Sequence, residues 1–300
     1  MSIIHRVDCS SASISSMTET ETVISPYRVS TITCNGSIRK QDGNDFKVDL
    51  TKLYEGMTVI EPQDNGTGFI YVMDRDGKHE KGVFPRKKRS DTKKKDETTT
   101  YRRFDNAIST YYKLREGYFP SVKIFKNGTI QMTGIKKIED GEEIHQKVFD
   151  TMKKIYDQDA SIFSSELMYD STTFYVRMIN SDFSVSYHIR RKDLHHLLIS
   201  DQYQNSCSFQ PGTYPGVKLQ YFWNPVIGHK DGRCNCKEAK CFGKGNGNGH
   251  GQCKKVTVSI FESGKILITG ATNFEQINEA YDYICKVLRE HASLIRKQYI

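Results

Sequence analysis

One phrase occurs twice in this chain. Residues 121–134 read SVKIFKNGTIQMTG, and residues 257–270 read TVSIFESGKILITG. Val122/Val258, Ile124/Ile260, Phe125/Phe261, Gly128/Gly264, Ile130/Ile266, Thr133/Thr269 and Gly134/Gly270 are identical pairs spaced 136 residues apart. Solenoid units recur every ~20–50 residues, so this is not a solenoid period. It argues for two copies of one half-domain packed as a pseudo-symmetric pair. The first copy predicts a hairpin, Val122–Phe125 with Thr129–Thr133, around Asn127-Gly128. Asn-Gly is the preferred pair for a two-residue type I′ turn.

The order of elements repeats as well. Tyr27–Thr33 is β-branched and predicts a strand, followed by a turn-rich stretch with Asn35-Gly36. Asp49 is placed to cap a short helix. Residues 61–100 lose the apolar pattern and read as an insert, ending in a run rich in Lys and Arg (Pro85–Lys95). Phe104–Tyr112 predicts another strand. After the hairpin, Ile144, Val148, Met152 and Ile155 make one helical stripe. The second half predicts strands at Phe174–Ile179 and Phe183–Ile189, then a helix at Asp193–Ser200. YHIRRKDL (Tyr187–Leu194) aligns there with FKVDLTKL (Phe46–Leu53). A strand at Val217–Phe222 precedes a Cys- and Gly-rich insert at 228–255. The hairpin Val256–Thr269 then leads into a helix striped by Ile277, Tyr281, Ile284 and Leu288.

The predicted organisation is a polar tail over 1–25, a first repeat over 26–157 and a second over 158–300. The expected fold is α+β: a duplicated saddle with one continuous curved antiparallel sheet and helices on its convex face. The other sheet face would stay open. An open face that is polar, basic and aromatic calls for a ligand. The net charge of +8 favours a polyanionic partner. No apolar run approaches the ~18–20 residues of a membrane span, and the N-terminal stretch lacks a secretory h-region.

At this point the residues resemble a family. I-F-x-x-G-x-x-x-x-T-G at Ile124–Gly134 and Ile260–Gly270 is similar to the hairpin in each repeat of the TATA-box-binding proteins. YPGVKLQYFW (Tyr214–Trp223) and RRFDNAIS (Arg102–Ser109) resemble that family's strands entered by a wedge aromatic. The resemblance runs from about Pro26 to the C-terminus, and its kind is that of the divergent members in large cytoplasmic DNA viruses. It implies a saddle whose concave sheet enters the DNA minor groove and bends the duplex. The wedge pairs it implies are Phe104 with Phe125 and Tyr214 with Phe261. The groove-floor positions are Thr133 and Thr269, with Gln131 and Leu267 two residues before them. Lys265 keeps a phosphate-facing position that is Thr129 in the first repeat. The central Asn pair of the family falls at Thr33 and Met178, with Asn35 and Asn180 two residues on.

The implied function is a non-enzymatic general transcription initiation factor that binds AT-rich promoter DNA and nucleates a preinitiation complex. Its partners would be a TFIIB-like factor and RNA polymerase, in the nucleus or, for a viral chain, in a cytoplasmic viral factory or virion. The alternative is an interaction scaffold of the same fold that has lost DNA binding, to which Gln131, Tyr214 and the missing Asn pair point. Phe125 and Phe261 read as exposed wedges by strand alternation, against a core role. The Lys/Arg run reads as a phosphate-tracking or import segment, or as a solvated loop.

Groove binding itself requires no cofactor. Cys234, Cys236, Cys241 and Cys253 could hold a structural Zn2+ or stand as reduced thiols in a flexible loop. Their insert is expected to lie away from the family's core. The chain shows no nucleophile motif, no phosphate-cradling Gly loop before a helix, and no spaced carboxylate set.

Overall fold

The computed structural model describes residues 22–39, 46–85, 106–226, 228–234, 236, 241 and 243–297. Among these, eleven strands form one sheet in the order β3-β2-β4-β5-β6-β1-β7-β11-β10-β9-β8, with every pairing antiparallel. The first half supplies β1 (Arg28–Ser37), β2 (Gly68–Met73), β3 (Glu80–Gly82), β4 (Ala107–Lys113), β5 (Ser121–Phe125) and β6 (Thr129–Ile135). The second supplies β7 (Tyr175–Ser184), β8 (Ser206–Ser208), β9 (Val217–Trp223), β10 (Lys254–Ile260) and β11 (Lys265–Ala271). Outward from the seam the orders β1-β6-β5-β4-β2 and β7-β11-β10-β9-β8 match strand for strand, and only β3 lacks a counterpart. The sheet is curved and does not close into a barrel.

The seam has a clear centre. Arg28 lies opposite Asp182, Thr31 opposite Asn180, Ile32 opposite Ile179, Thr33 opposite Met178 and Asn35 opposite Tyr175. One offset of 147 residues maps these pairs onto each other, so the pseudo-two-fold axis passes between Ile32 and Ile179.

Helices cover one face. α2 (Ile138–Gln158) packs on β1 and β6, and α4 (Phe274–Glu290) packs on β9, β10 and β11. Their stripes are the expected ones: Ile144, Val148, Met152 and Ile155 are buried, as are Ile277, Ile284 and Leu288. Tyr281 is half-buried, and its hydroxyl donates to the Ser25 carbonyl at 2.9 Å. The strands send Val122, Ile124, Ile130 and Met132 into this core, and likewise Val256, Val258, Ile266 and Ile268. The short helices α1 (Leu50–Gly56) and α3 (Arg191–Ile199) complete each half. Asp49 caps α1 by accepting from the Thr51 and Lys52 amides at 3.0 and 3.2 Å. A last turn, α5 (Ala292–Ile295), contacts α3 and α4. None of the described helices is long and apolar enough to cross a membrane.

Several expectations need correction. The hairpin loop is three residues, not two. Gly128 has φ +78°, Asn127 does not have positive φ, and the Gly128 amide donates to the Phe125 carbonyl at 2.9 Å. That is a type I turn closed by a left-handed glycine, repeated at Gly264 with φ +79°. Asn35-Gly36 is not a turn but lies within β1. In place of the two strands expected at Phe174–Ile179 and Phe183–Ile189 there is one, β7, because the polar pair Ser181-Asp182 continues the ladder; it ends at Ser184, and beyond it only Val185 and Ile189 of that span make isolated bridges. The 61–100 insert contains β2, whose Phe69–Val72 run is buried, and β3. The polar tail stops short of residue 25: the Ser25 amide donates to the Ser184 carbonyl at 2.9 Å, and Ile24 bridges Val185. The Arg86–Lys95 run and Phe104 lie outside the described residues.

Candidate functional site

Strand alternation divides every residue of the sheet between the helical core and the open face. In β5 and β6 the open-face residues are Ser121, Lys123, Phe125, Thr129, Gln131 and Thr133. In β10 and β11 they are Lys255, Thr257, Ser259, Lys265, Leu267 and Thr269. Most expected contact residues that can be described therefore share one surface. Phe125, Phe261, Tyr214, Thr133 and Thr269 are half-buried there, while Lys265 and Leu267 are exposed.

Each hairpin carries its aromatic at the start of the three-residue turn, which holds the ring beside the tip. Tyr214 and Phe261 form a pair, with ring centroids 5.8 Å apart and planes inclined at 53°. The Lys218 ammonium sits 3.9 Å from the Tyr214 centroid, a cation–π contact. At the other end Phe125 lines a concavity of about 600 Å³, together with Asn35, Phe46, Asn106, Thr129 and Gln131. The two ends thus present related but unequal aromatic sites.

Rows across the open face show the inequality. One row of the first half runs Ser109, Lys123, Gln131, Asn35. Its symmetry mate in the second half runs Lys218, Ser259, Leu267, Asp182. Burial holds the Lys123 ammonium below its ordinary range. Asp182 is paired to Arg28 across the seam at 2.8 Å. This carboxylate on the open face was not anticipated from the sequence. Only the register of β7 reveals it, since Ser181-Asp182 has the look of a turn.

The central positions also differ from expectation. Thr33 and Met178 are partners across the seam, whereas the symmetry relates Thr33 to Asn180 and Thr31 to Met178. Asn35 donates through Nδ2 to the Tyr175 hydroxyl at 3.0 Å. The amide oxygens of Asn35 and Asn180 are buried with no hydrogen-bond partner among the described residues.

The edge of the first half carries a further feature without sequence warning. Tyr71, Phe84 and Tyr111 form an edge-to-face cluster with centroids 5.1–6.1 Å apart. Tyr111 lies on the open face beside Ser109, and Tyr71 is its register partner.

The four clustered cysteines do converge. The sulfurs of Cys234, Cys236, Cys241 and Cys253 all lie within 4.8 Å of one another, a donor set able to hold a metal ion. Their insert is not remote from the sheet. Cys241 and Cys253 pack on Phe222, forming a small core separate from the main one. The neighbouring Tyr221 faces α4, where its hydroxyl donates to Glu279 at 2.6 Å. Phe222 therefore points to the open face, and the Cys-rich insert sits over it.

The family described as "Transcription factor TFIID (or TATA-binding protein, TBP)" matches residues 248–291. A "TATA-box-binding protein-like" protein of Acanthamoeba polyphaga mimivirus is 31% identical over 213 residues, covering 68% of this chain. The chain spans about half of that relative, 52% of its length. The solved structure "Methanococcus jannaschii TBP" aligns over 88% of this chain and 98% of its own, at 15% identity and a TM-score of 0.45.

Proposed function

Since this chain is a divergent TATA-binding-protein-like protein, we propose that it binds duplex DNA in the minor groove through the open sheet face. It bends the duplex and acts as a non-enzymatic general transcription initiation factor. The observation that carries this reading is the pair of symmetry-related hairpins, each presenting one half-buried aromatic (Phe125, Phe261) on a helix-free face. Minor-groove recognition needs few specific donors, because its code is mostly A·T against G·C. It does need apolar wedges, since unstacking a base step costs about a few kcal/mol. Thr133 and Thr269 lie on the groove floor, and Lys218, Lys255 and Lys265 lie near phosphates. Groove binding of this kind needs no cofactor. The helical face, with α2 and α4, is left for protein partners, a TFIIB-like factor and RNA polymerase. The reading implies action where promoters are used: the nucleus, or for a viral chain the viral factory or virion.

A circularly permuted set of AT-rich duplexes tests the reading. The expected result is salt-sensitive binding with position-dependent mobility. Binding without bending, or none at low salt, would sink it.

Asp182 supports the second reading, a scaffold of this fold that no longer binds DNA. A carboxylate beside Leu267 opposes phosphate approach unless Arg28 offsets it. An unbiased duplex selection that enriches no sequence class, with retained binding of a TFIIB-like partner, would favour the scaffold.

A further inference from the structure

The Cys-rich insert replaces a short connection. In the first half β4 passes to β5 through residues 114–120, whereas in the second half β9 and β10 are joined by residues 224–253. The Cys234 sulfur lies 3.5 Å from that of Cys241 and 3.8 Å from that of Cys253, and the Cys236 sulfur lies 3.1 Å from that of Cys253. Four sulfurs held tetrahedrally at about 2.3 Å from one Zn2+ stand about 3.8 Å apart. The three separations lie at or below that value, and all four sulfurs lie within 4.8 Å of one another.

Three of the four sulfurs face N–H donors. Backbone amides of Gly243 and Gly245 point at the Cys241 sulfur, and those of Cys236 and Gly243 at the Cys234 sulfur. The Asn224 Nδ2 donates to the Cys253 sulfur at 3.2 Å. Such N–H···S contacts orient ligands from outside the first coordination sphere. The loop also closes tightly: a Cβ at Gly249 would lie 2.4 Å from the Cys241 Cβ and 3.1 Å from the Cys236 sulfur.

The mounting of this knuckle gives it a role. It rests on Phe222 at the open face, and the Lys255 amide donates to the Gly245 carbonyl at 2.9 Å. Lys255 lies opposite Phe222 on that same face. Residues 228–255 hold Lys230, Arg233, Lys237, Lys240, Lys244, Lys254 and Lys255 against Asp231 and Glu238. The insert stays basic even after the two net negative charges of a Zn2+–tetrathiolate centre are counted.

We propose that Cys234, Cys236, Cys241 and Cys253 bind one zinc ion, and that this centre clamps a basic knuckle onto the groove-facing sheet, where Lys244 and Lys255 contact phosphate. The second half of this proposal rests on the minor-groove reading; the first does not.

The test begins with the full chain purified without added metal. Elemental analysis should give one zinc per chain, and replacement by Co2+ should give thiolate charge-transfer and tetrahedral d–d bands. The Cys236→Ser, Cys241→Ser variant should lose both. Absence of zinc together with absence of the cobalt spectrum overturns the site. The Lys244→Gln, Lys255→Gln variant leaves the ligands and fold in place. It should keep its zinc, lower the slope of log K against log salt by about two, and weaken binding roughly tenfold at moderate salt. An unchanged slope overturns the phosphate role. A wild-type chain that holds zinc but binds no duplex overturns the minor-groove reading and leaves the metal centre supported.

Discussion

A Cβ added at Gly264 would lie 2.6 Å from the carbonyl oxygens of Val185 and Tyr187, at a backbone φ of +79°. The carbonyls belong to the backbone and cannot turn aside. At Gly128 the obstacle is the Phe46 ring edge at 2.7 Å, a side chain that can shift. The left-handed conformation alone costs a non-glycine residue about 1–3 kcal/mol. Gly264→Ala should therefore lower the urea midpoint more than Gly128→Ala does. Equal losses would mean that the carbonyl contact adds nothing beyond φ.

His145 makes a second residue-scale prediction. Its Nε2–H donates to the Ser37 carbonyl at 2.9 Å, and its ring fills the space where a Cβ of Gly36 would sit. Nδ1 is buried with no partner among the described residues. Burial lowers the pKa, opposed by the Ser37 bond and by nearby Asp170. The folded state thus prefers the neutral ring, while the unfolded chain takes up its proton near an ordinary value of about 6.5. The stability from His145 is full above that value and is lost as pH falls below it. His145→Gln keeps a donor for Ser37 and removes the titration. Its unfolding free energy should fall less between about pH 7 and pH 5. Identical slopes would assign the pH response to another group.

At the scale of elements, the sequence was readable where one pattern acted alone. Both hairpins follow from alternation broken by glycine, and α2 and α4 follow from stripes at three- and four-residue steps. Errors arose where local chemistry imitated another structure. Asn35-Gly36 looks like a turn, but Gly36 stays in β1 because the His145 ring needs the absent side chain. Ser181-Asp182 looks like a break, but Ser181 is buried on the helical side and Asp182 is bound to Arg28. β2 was hidden because its apolar run stands isolated among polar residues. The α1 cap was legible, and it can be weighed. Asp49→Ala should cost about 1 kcal/mol in denaturant melts, and Asp49→Asn should recover most of that. An Asn variant as weak as the Ala variant would show that charge, not capping, holds the helix start.

At the scale of the whole molecule, the repeated phrase announced the two-fold order of the sheet, but the axis itself came only from the strand register. The wedge assignment lives at this scale, because bending needs both ends of the saddle. Phe125 and Phe261 are half-buried outside the helical core, so Phe125→Ala with Phe261→Ala should leave the thermal transition within a few degrees of wild type while abolishing the mobility shift on AT-rich duplex. A double variant that bends DNA like the wild type would remove both residues from that role.

The unequal open-face rows have a further consequence. A saddle with two identical halves would sit on a duplex equally well in either of two opposed directions. Here Gln131 and Asn35 occupy one half where Leu267 and Asp182 occupy the other. On a palindromic duplex both seatings are the same complex. On any other sequence they differ in free energy, and every ~1.4 kcal/mol of difference is a tenfold bias. If the open face seats on DNA as proposed, the direction of that seating is set by a few side chains of an otherwise symmetric sheet.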